Sequence, residues 1–297
     1  MMAVLGAFQY PFFVNAFVAG TAVAVIAGLA GFFLVLRGQV FTGDALGHVA
    51  FTGAAAALAF GLDVRIGLFV ATVGGGVLIG ALGLKGRGDD VVIGNVLAWV
   101  LGLGVFFLSL YTTSQGAGNG TAGVSILFGS IYGLSARQAI VTALVAAAVA
   151  VALLSIARPL LFSTIDENVA NAMGVPVRWL GILFLALVGV ATAQATQAVG
   201  ALLVLGLLAA PAGTAYRLTT RPFVGLLLAA GVAVLDMWAG LALSYLVPAF
   251  PPSFSILAVA SGVYLVAIVA KRLWPTASPA RRSSSTGTAE ASELGSG

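Results

Sequence analysis

Nine apolar stretches govern what this chain can fold into. They run over about Phe12–Leu36, Val40–Gly61, Ile66–Leu84, Val91–Tyr111, Ala139–Ala157, Trp179–Thr196, Ala198–Tyr216, Phe223–Val247 and Phe254–Ala270. Each is close to the roughly 20 residues a helix needs to cross about 30 Å of hydrocarbon. The runs are continuous rather than alternating, which predicts helices and not the strands of a membrane barrel. Only 7% of the residues are charged, against about 25% in a soluble domain. The expected fold is all-α, a polytopic transmembrane helix bundle of about eight or nine spans. An apolar segment over Val124–Leu134 is too short to span, and a re-entrant, an interfacial or a helix-extending role all fit it.

The cations orient the bundle. With an external N-terminus and nine crossings, Arg37, Lys85, Arg87, Arg158, Arg178, Arg217, Arg221, Lys271, Arg272, Arg281 and Arg282 fall on one side, leaving Arg65 and Arg137 opposite. By the positive-inside rule the crowded side is cytoplasmic. The net charge of +4 reflects this sorting rather than an affinity for nucleic acid. The N-terminus has no basic region followed by a small-residue cleavage site, so the first span is expected to be retained.

The expected organisation is an external segment over 1–11, a transmembrane domain over 12–274 and a disordered cytoplasmic tail over 275–297. The tail is rich in Ser, Thr, Ala and Gly, too polar to pack a core. The loop Thr112–Ala122 is polar and Gly-rich and is expected outside. Between the fifth and sixth spans, residues 162–176 read FSTIDENVANAMGVP after Leu161. This pattern predicts a short cytoplasmic helix: Ser163 or Thr164 as cap, Asp166 and Glu167 in the first turn, Gly174 as the stop before Pro176.

Chemistry-bearing residues are few. Asp44 and His48 lie four apart inside an apolar stretch, and His48 is the single histidine. On a helix that spacing puts a carboxylate and an imidazole on one face. Ionisable groups within a span are costly and commonly face a bundle interior or a water-filled route. The pair supplies half of a site for a borderline divalent cation, and two copies around a dimer axis would supply four ligands. A plain hydrogen-bonded pair is the structural alternative. Asp236, in GVAVLDMWAGLALSY, is either a second path residue or a partner for a neighbouring helix. Gln194 and Gln197 read as turn or interhelical hydrogen-bonding residues.

Other chemistries are absent. With no cysteine there are no thiolate metal sites, disulfides or thiol redox centres. No G-x-x-x-x-G-K-[ST], H-E-x-x-H or G-x-S-x-G occurs, so the chain lacks the usual signatures of nucleotide binding and of intramembrane hydrolysis.

Three stretches resemble a known family, the membrane permeases of bacterial ABC importers for zinc, manganese or iron. The first is Leu36-Arg37, then Phe41-Thr-Gly-Asp-Ala-Leu-Gly-His48 and Gly53. The second is Ile165-Asp-Glu, Ala170 and Ala172-Met-Gly174-Val. The third is the run from Val199 through Pro211 to Ala215. Order and spacing agree from about residue 12 to residue 272. Gly47 and Gly213 depart from the family pattern, and the expectation is that both loosen packing without removing a ligand.

The resemblance implies a transport subunit, not an enzyme, in the bacterial cytoplasmic (inner) membrane, with a second permease copy, a cytoplasmic ABC ATPase and an extracellular metal-binding lipoprotein as partners. It implies no permanently bound cofactor: a divalent metal is the substrate, and ATP sits on the partner subunit. Asp44 and His48 fall on the family's metal-coordinating positions. Asp166, Glu167, Ala170 and Gly174 fall on the coupling helix that docks on the ATPase. Two other readings stay open on the residues alone: an ABC permease for siderophore or cobalamin, and an ATP-independent secondary cation transporter using Asp44, His48 and Asp236 as a proton relay.

Overall fold

The computed structural model describes residues 6–83, 90–115 and 126–273. Lys85, Arg87, residues 116–122 of the polar loop, Arg281, Arg282 and the 275–297 tail lie outside those residues. Ten helices of six residues or more organise the described chain. They are α1 (Pro11–Leu36), α2 (Val40–Ala59), α3 (Val64–Leu82), α4 (Asp90–Gln115), α5 (Ala136–Ile165), α6 (Glu167–Ala172), α7 (Val177–Val199), α8 (Val204–Leu218), α9 (Pro222–Leu246) and α10 (Pro252–Leu273). All but the short α6 fall on the nine apolar stretches.

Seven of these helices are long and apolar enough to cross a membrane by themselves: α1, α3, α4, α5, α7, α9 and α10. The other two fall short for different reasons. Asp44, His48 and two threonines dilute the hydropathy of α2. At 15 residues α8 is about 22 Å long at the usual 1.5 Å rise. The stretch expected to span from Ala198 in fact starts at Val204. α7 continues through Val199 and ends at Gly200, whose φ of 91° turns the chain. Only glycine adopts such a φ without strain.

That turn is locked by the segment whose role was left open. Ala201 and Leu202 donate backbone hydrogen bonds to the carbonyls of Ile126 and Leu127 at 3.1 and 3.3 Å, and Ser130 donates to Gln197 O at 3.2 Å. A β-carbon at Gly200 would overlap Leu127 O. Residues 126–133 are therefore a tucked strap over the α7–α8 turn, not an extension of α5. α5 has its own start, a reciprocal cap in which Gln138 N donates to Ser135 Oγ and Ser135 N to Gln138 Oε1.

The core lies on α1 and α7. Their most apolar windows are 72% and 67% buried, against 11% for α4. α1 packs on α5, α7, α8 and α9, whereas α4 packs mainly on α2. The periphery thus turns most of its apolar surface outward, as helices in lipid do. Burial there does not come from expelling water, so helices hold together by close packing. At the α2–α3 crossing a β-carbon on Gly53 would overlap Gly67 O, and one on Gly67 would overlap Gly53 O. The two backbones are in contact.

Candidate functional site

α2 carries the ionisable pair and shows one incompletely covered face. Its neighbours cover Thr42, Gly43, Ala45, Leu46, Gly47, Val49 and Ala50. Phe41 is 45% exposed, and Asp44, His48 and Phe51 are half-buried. These four follow i, i+3, i+7, i+10, which is a single helical stripe. Among the described residues neither Asp44 nor His48 has a hydrogen-bond or ion-pair partner. The plain hydrogen-bonded pair is therefore not what the structure contains. An acid and an imidazole instead stand one turn apart and half-buried, on a face that α4 covers just beyond His48, where Thr52 Oγ1 donates to Val100 O at 2.8 Å and Gly104 lies against Phe51.

Close contacts hold that face in place. α3 packs on one side of α2, at Gly53 and Gly67. On another side the α7–α8 turn approaches Gly47, where a β-carbon would lie 2.7 Å from Val204 Cγ1 and 3.0 Å from Ala201 O. Gly47 thus permits tight packing rather than loosening it. Gly213 behaves alike, since a β-carbon there would stand 2.9 Å from Tyr264 Cε2. At the start of α2 the Arg37 guanidinium lies 5.4 Å over the Phe184 ring of α7. The residue after His48 on the crowded side, Val49, packs against α3 at Gly75.

Asp236 is placed elsewhere. It is 1% exposed on α9, whose main neighbours are α1, α8 and α10, and its Oδ2 has no partner. No group of three or more His, Asp or Glu that could hold a metal occurs among the described residues, so Asp236 does not complete a site with Asp44 and His48. Gln194 is also buried, with an unpartnered Oε1, and Gln197 lines a cavity at the end of the bundle where α7 finishes. Neither joins the pair.

The 162–176 region differs from expectation at its start. α5 runs without a break through Pro159 to Ile165, and Ser163 Oγ and Thr164 Oγ1 both donate back to Leu160 O rather than capping the next helix. Asp166 is the cap of α6: its Oδ1 accepts from Val169 N at 3.0 Å. Gly174, with φ of 82°, closes α6 by a paired lock. Its N–H donates to Asn171 O and that of Val175 to Ala170 O, both at 3.0 Å, the six-to-one and five-to-two arrangement that a left-handed glycine permits. Ala170 is fully buried and faces the body, while Ile165, Val169 and Met173 are exposed at 78%, 45% and 72%. This apolar trio at spacing four went unread in the sequence. Its signal was three exposed apolar residues in a polar segment, Ile165 before the non-helical Asp166 and Val169 and Met173 after it, with Trp179 also exposed.

At the opposite end, Arg65 and Arg137 line one cavity together with Asp63. The two cations that stood apart from the other eleven do share one end of the bundle.

Comparison with known proteins agrees over nearly the whole chain. The family model described as the ABC 3 transport family matches residues 9–271. The manganese transport system membrane protein MntC of Halalkalibacterium halodurans is 33% identical over 260 residues, with 87% of each chain covered. The manganese import system permease protein ScaB of Streptococcus parasanguinis is 30% identical, covering 80% of this chain and 83% of its own. Among solved structures, PsaBC from Streptococcus pneumoniae, in complex with a Fab, superposes with a TM-score of 0.77 at 28% identity, covering 90% of this chain and 94% of its own.

Proposed function

This chain belongs to the ABC 3 transport family, and we propose that it is the permease of an ATP-driven importer that takes up divalent metal ions, manganese first among them. It is a transport subunit. The carrying observation is the half-buried stripe of α2, where Asp44 and His48 stand one turn apart and unpartnered among the described residues. Carboxylate oxygen and imidazole nitrogen suit manganese, zinc and iron(II) alike. The relatives named for manganese put that ion first. Asp236 lies among other helices, which speaks against a proton relay through all three groups.

In this reading a second copy covers the half-buried stripe, and the two Asp44–His48 pairs face each other across the axis. A dehydrated cation from an external metal-binding lipoprotein is held there briefly. Binding must be strong enough to accept the ion and weak enough to release it. A cytoplasmic ATPase docks against Ile165, Val169 and Met173 of the α5–α6 corner, and its closure on ATP moves α5 and α7, which α6 joins. The cation sorting favours an external N-terminus and a cytoplasmic C-terminus, and the family resemblance implies the bacterial cytoplasmic membrane.

The test is cellular metal content in a deletion strain grown with manganese, zinc or iron limiting. Manganese should fall and be restored by the plasmid-borne gene. Unchanged content of all three would end the proposal, and a fall in zinc or iron alone would reassign the ion.

Two further outcomes follow. Uptake should decline as the medium is acidified, because a proton competes with the metal for the imidazole lone pair; a flat profile between pH 7.5 and pH 5.5 would remove His48 from the shell. Gly174→Val should weaken ATPase capture in a pull-down by about five- to thirtyfold, since a β-branched residue at that φ costs on the order of 1–2 kcal/mol and unlocks α6. Reversing Asp166 and Glu167 to lysine should act in the same direction. Full capture by both variants would detach the corner from coupling.

A further inference from the structure

We propose that the cavity between the starts of α3 and α5 is a binding site for the phosphate of an anionic phospholipid. The inference rests on the spans described above and is independent of which ion is carried. The cavity has a volume of about 560 Å³. Its polar lining includes Asp63, Arg65, Arg137, Gln138 and Gln197, and Phe69 and Val141, with the Thr142 hydroxyl beside them, form its more apolar side. The polar groups are mostly donors still to be used. Asp63 Oδ1 already accepts from Arg65 N at 2.8 Å, and Gln138 Oε1 accepts from Ser135 N, which leaves the Gln138 amide protons unspent. Among the described residues neither the Arg65 nor the Arg137 guanidinium has a partner.

The electrostatics favour one negative charge. Two guanidiniums and one carboxylate sum to +1, which a single phosphodiester neutralises. Both α3 and α5 begin at this cavity, so two helix N-termini add positive potential. Arginine forks match phosphate oxygens in pairs.

Location identifies the occupant as a lipid. The polar wall sits where two spans end, at the depth of the headgroups. The apolar wall runs on into surface that faces the acyl chains: Val141, Ile140, Val70 and Leu144 are 52%, 58%, 67% and 65% exposed. Phosphate, glycerol and the first acyl carbons thus meet side chains of their own kind in order. Among the described residues, the two basic side chains on this side of the bundle converge on one cavity.

The experiment is native mass spectrometry of the purified permease, released from detergent after titration with phosphatidylglycerol or phosphatidylcholine of the same chains. The wild type should retain phosphatidylglycerol preferentially, at one per protomer. Each basic side chain near an anionic lipid surface is worth on the order of a fivefold gain, so R65Q/R137Q should lose retention by about 25-fold. V141W, which fills the apolar wall on an exposed position and leaves the charges alone, should also lose it. K271Q/R272Q, at the far end, should not. Equal retention of both lipids by the wild type, or unaltered retention in R65Q/R137Q and V141W, would overturn the site. So would a double variant that keeps its lipid and loses only capture of the external metal-binding protein, which would make the cavity a protein dock. Loss of metal uptake with lipid retention intact bears on the transport reading and leaves this one standing.

Discussion

His48→Ala and Asp44→Ala should each reduce manganese uptake by at least about a hundredfold while the protein still inserts into the membrane. Removing groups that merely orient a metal ligand commonly costs ten- to a hundredfold in affinity or activity, and removal of a ligand itself should cost no less. In a dimer each substitution deletes two ligands at once. Insertion should be unharmed, because both side chains are half-buried and unpartnered, so no hydrogen bond and only part of each side chain's packing is lost. A membrane fraction with normal permease content and normal uptake in either variant would remove the α2 stripe from the pathway.

Gly53→Val should have the largest effect on the fold. The new β-carbon would overlap Ala71 Cβ and Gly67 O. A backbone carbonyl inside a helix cannot rotate away, so α2 and α3 must separate. Overpacking of this kind costs roughly 1–3 kcal/mol even where side chains can yield, and more here, where they cannot. The expected result is loss of the monodisperse peak in detergent, or a melting temperature lowered by at least about 5 °C on the usual scale for such energies. Gly74→Ala on the facing helix α3 meets nothing within 4 Å and should leave both unchanged. Equal behaviour of the two variants would contradict the close crossing. Any Gly53 variant that survives should also transport poorly, since α3 sets the rotation of α2 and hence the direction of Asp44 and His48.

Much of the architecture was legible because membranes simplify the problem. A helix must satisfy its own backbone in lipid, so apolar length alone located nine helices, most of them to within a few residues; α5 runs on past its expected end at Ala157 to Ile165, and α8 starts at Val204 rather than Ala198. The errors occurred where backbone conformation or short polar contacts decide. The α7–α8 boundary moved because Gly200 turns with a positive φ under the 126–130 strap, a contact between segments about 70 residues apart. The cap of α6 moved from Ser163 or Thr164 to Asp166, since both hydroxyls donate to the carbonyl of Leu160 about one turn back, a choice that composition does not encode. Ala170, legible as part of the coupling pattern, faces inward, while the unread Ile165, Val169 and Met173 face out.

The order of residues alone was enough to establish a helical membrane bundle and an acid–imidazole pair one turn apart inside it. Hydrophobic length and helical spacing are local properties that need no knowledge of neighbours. Whether that pair was open or already satisfied, whether Asp236 joined it, and where Arg65 and Arg137 met depended on helices distant in the chain. Those questions turn on which face of each helix its neighbours cover, and close backbone contacts at glycines, such as Gly53 on Gly67, set that arrangement.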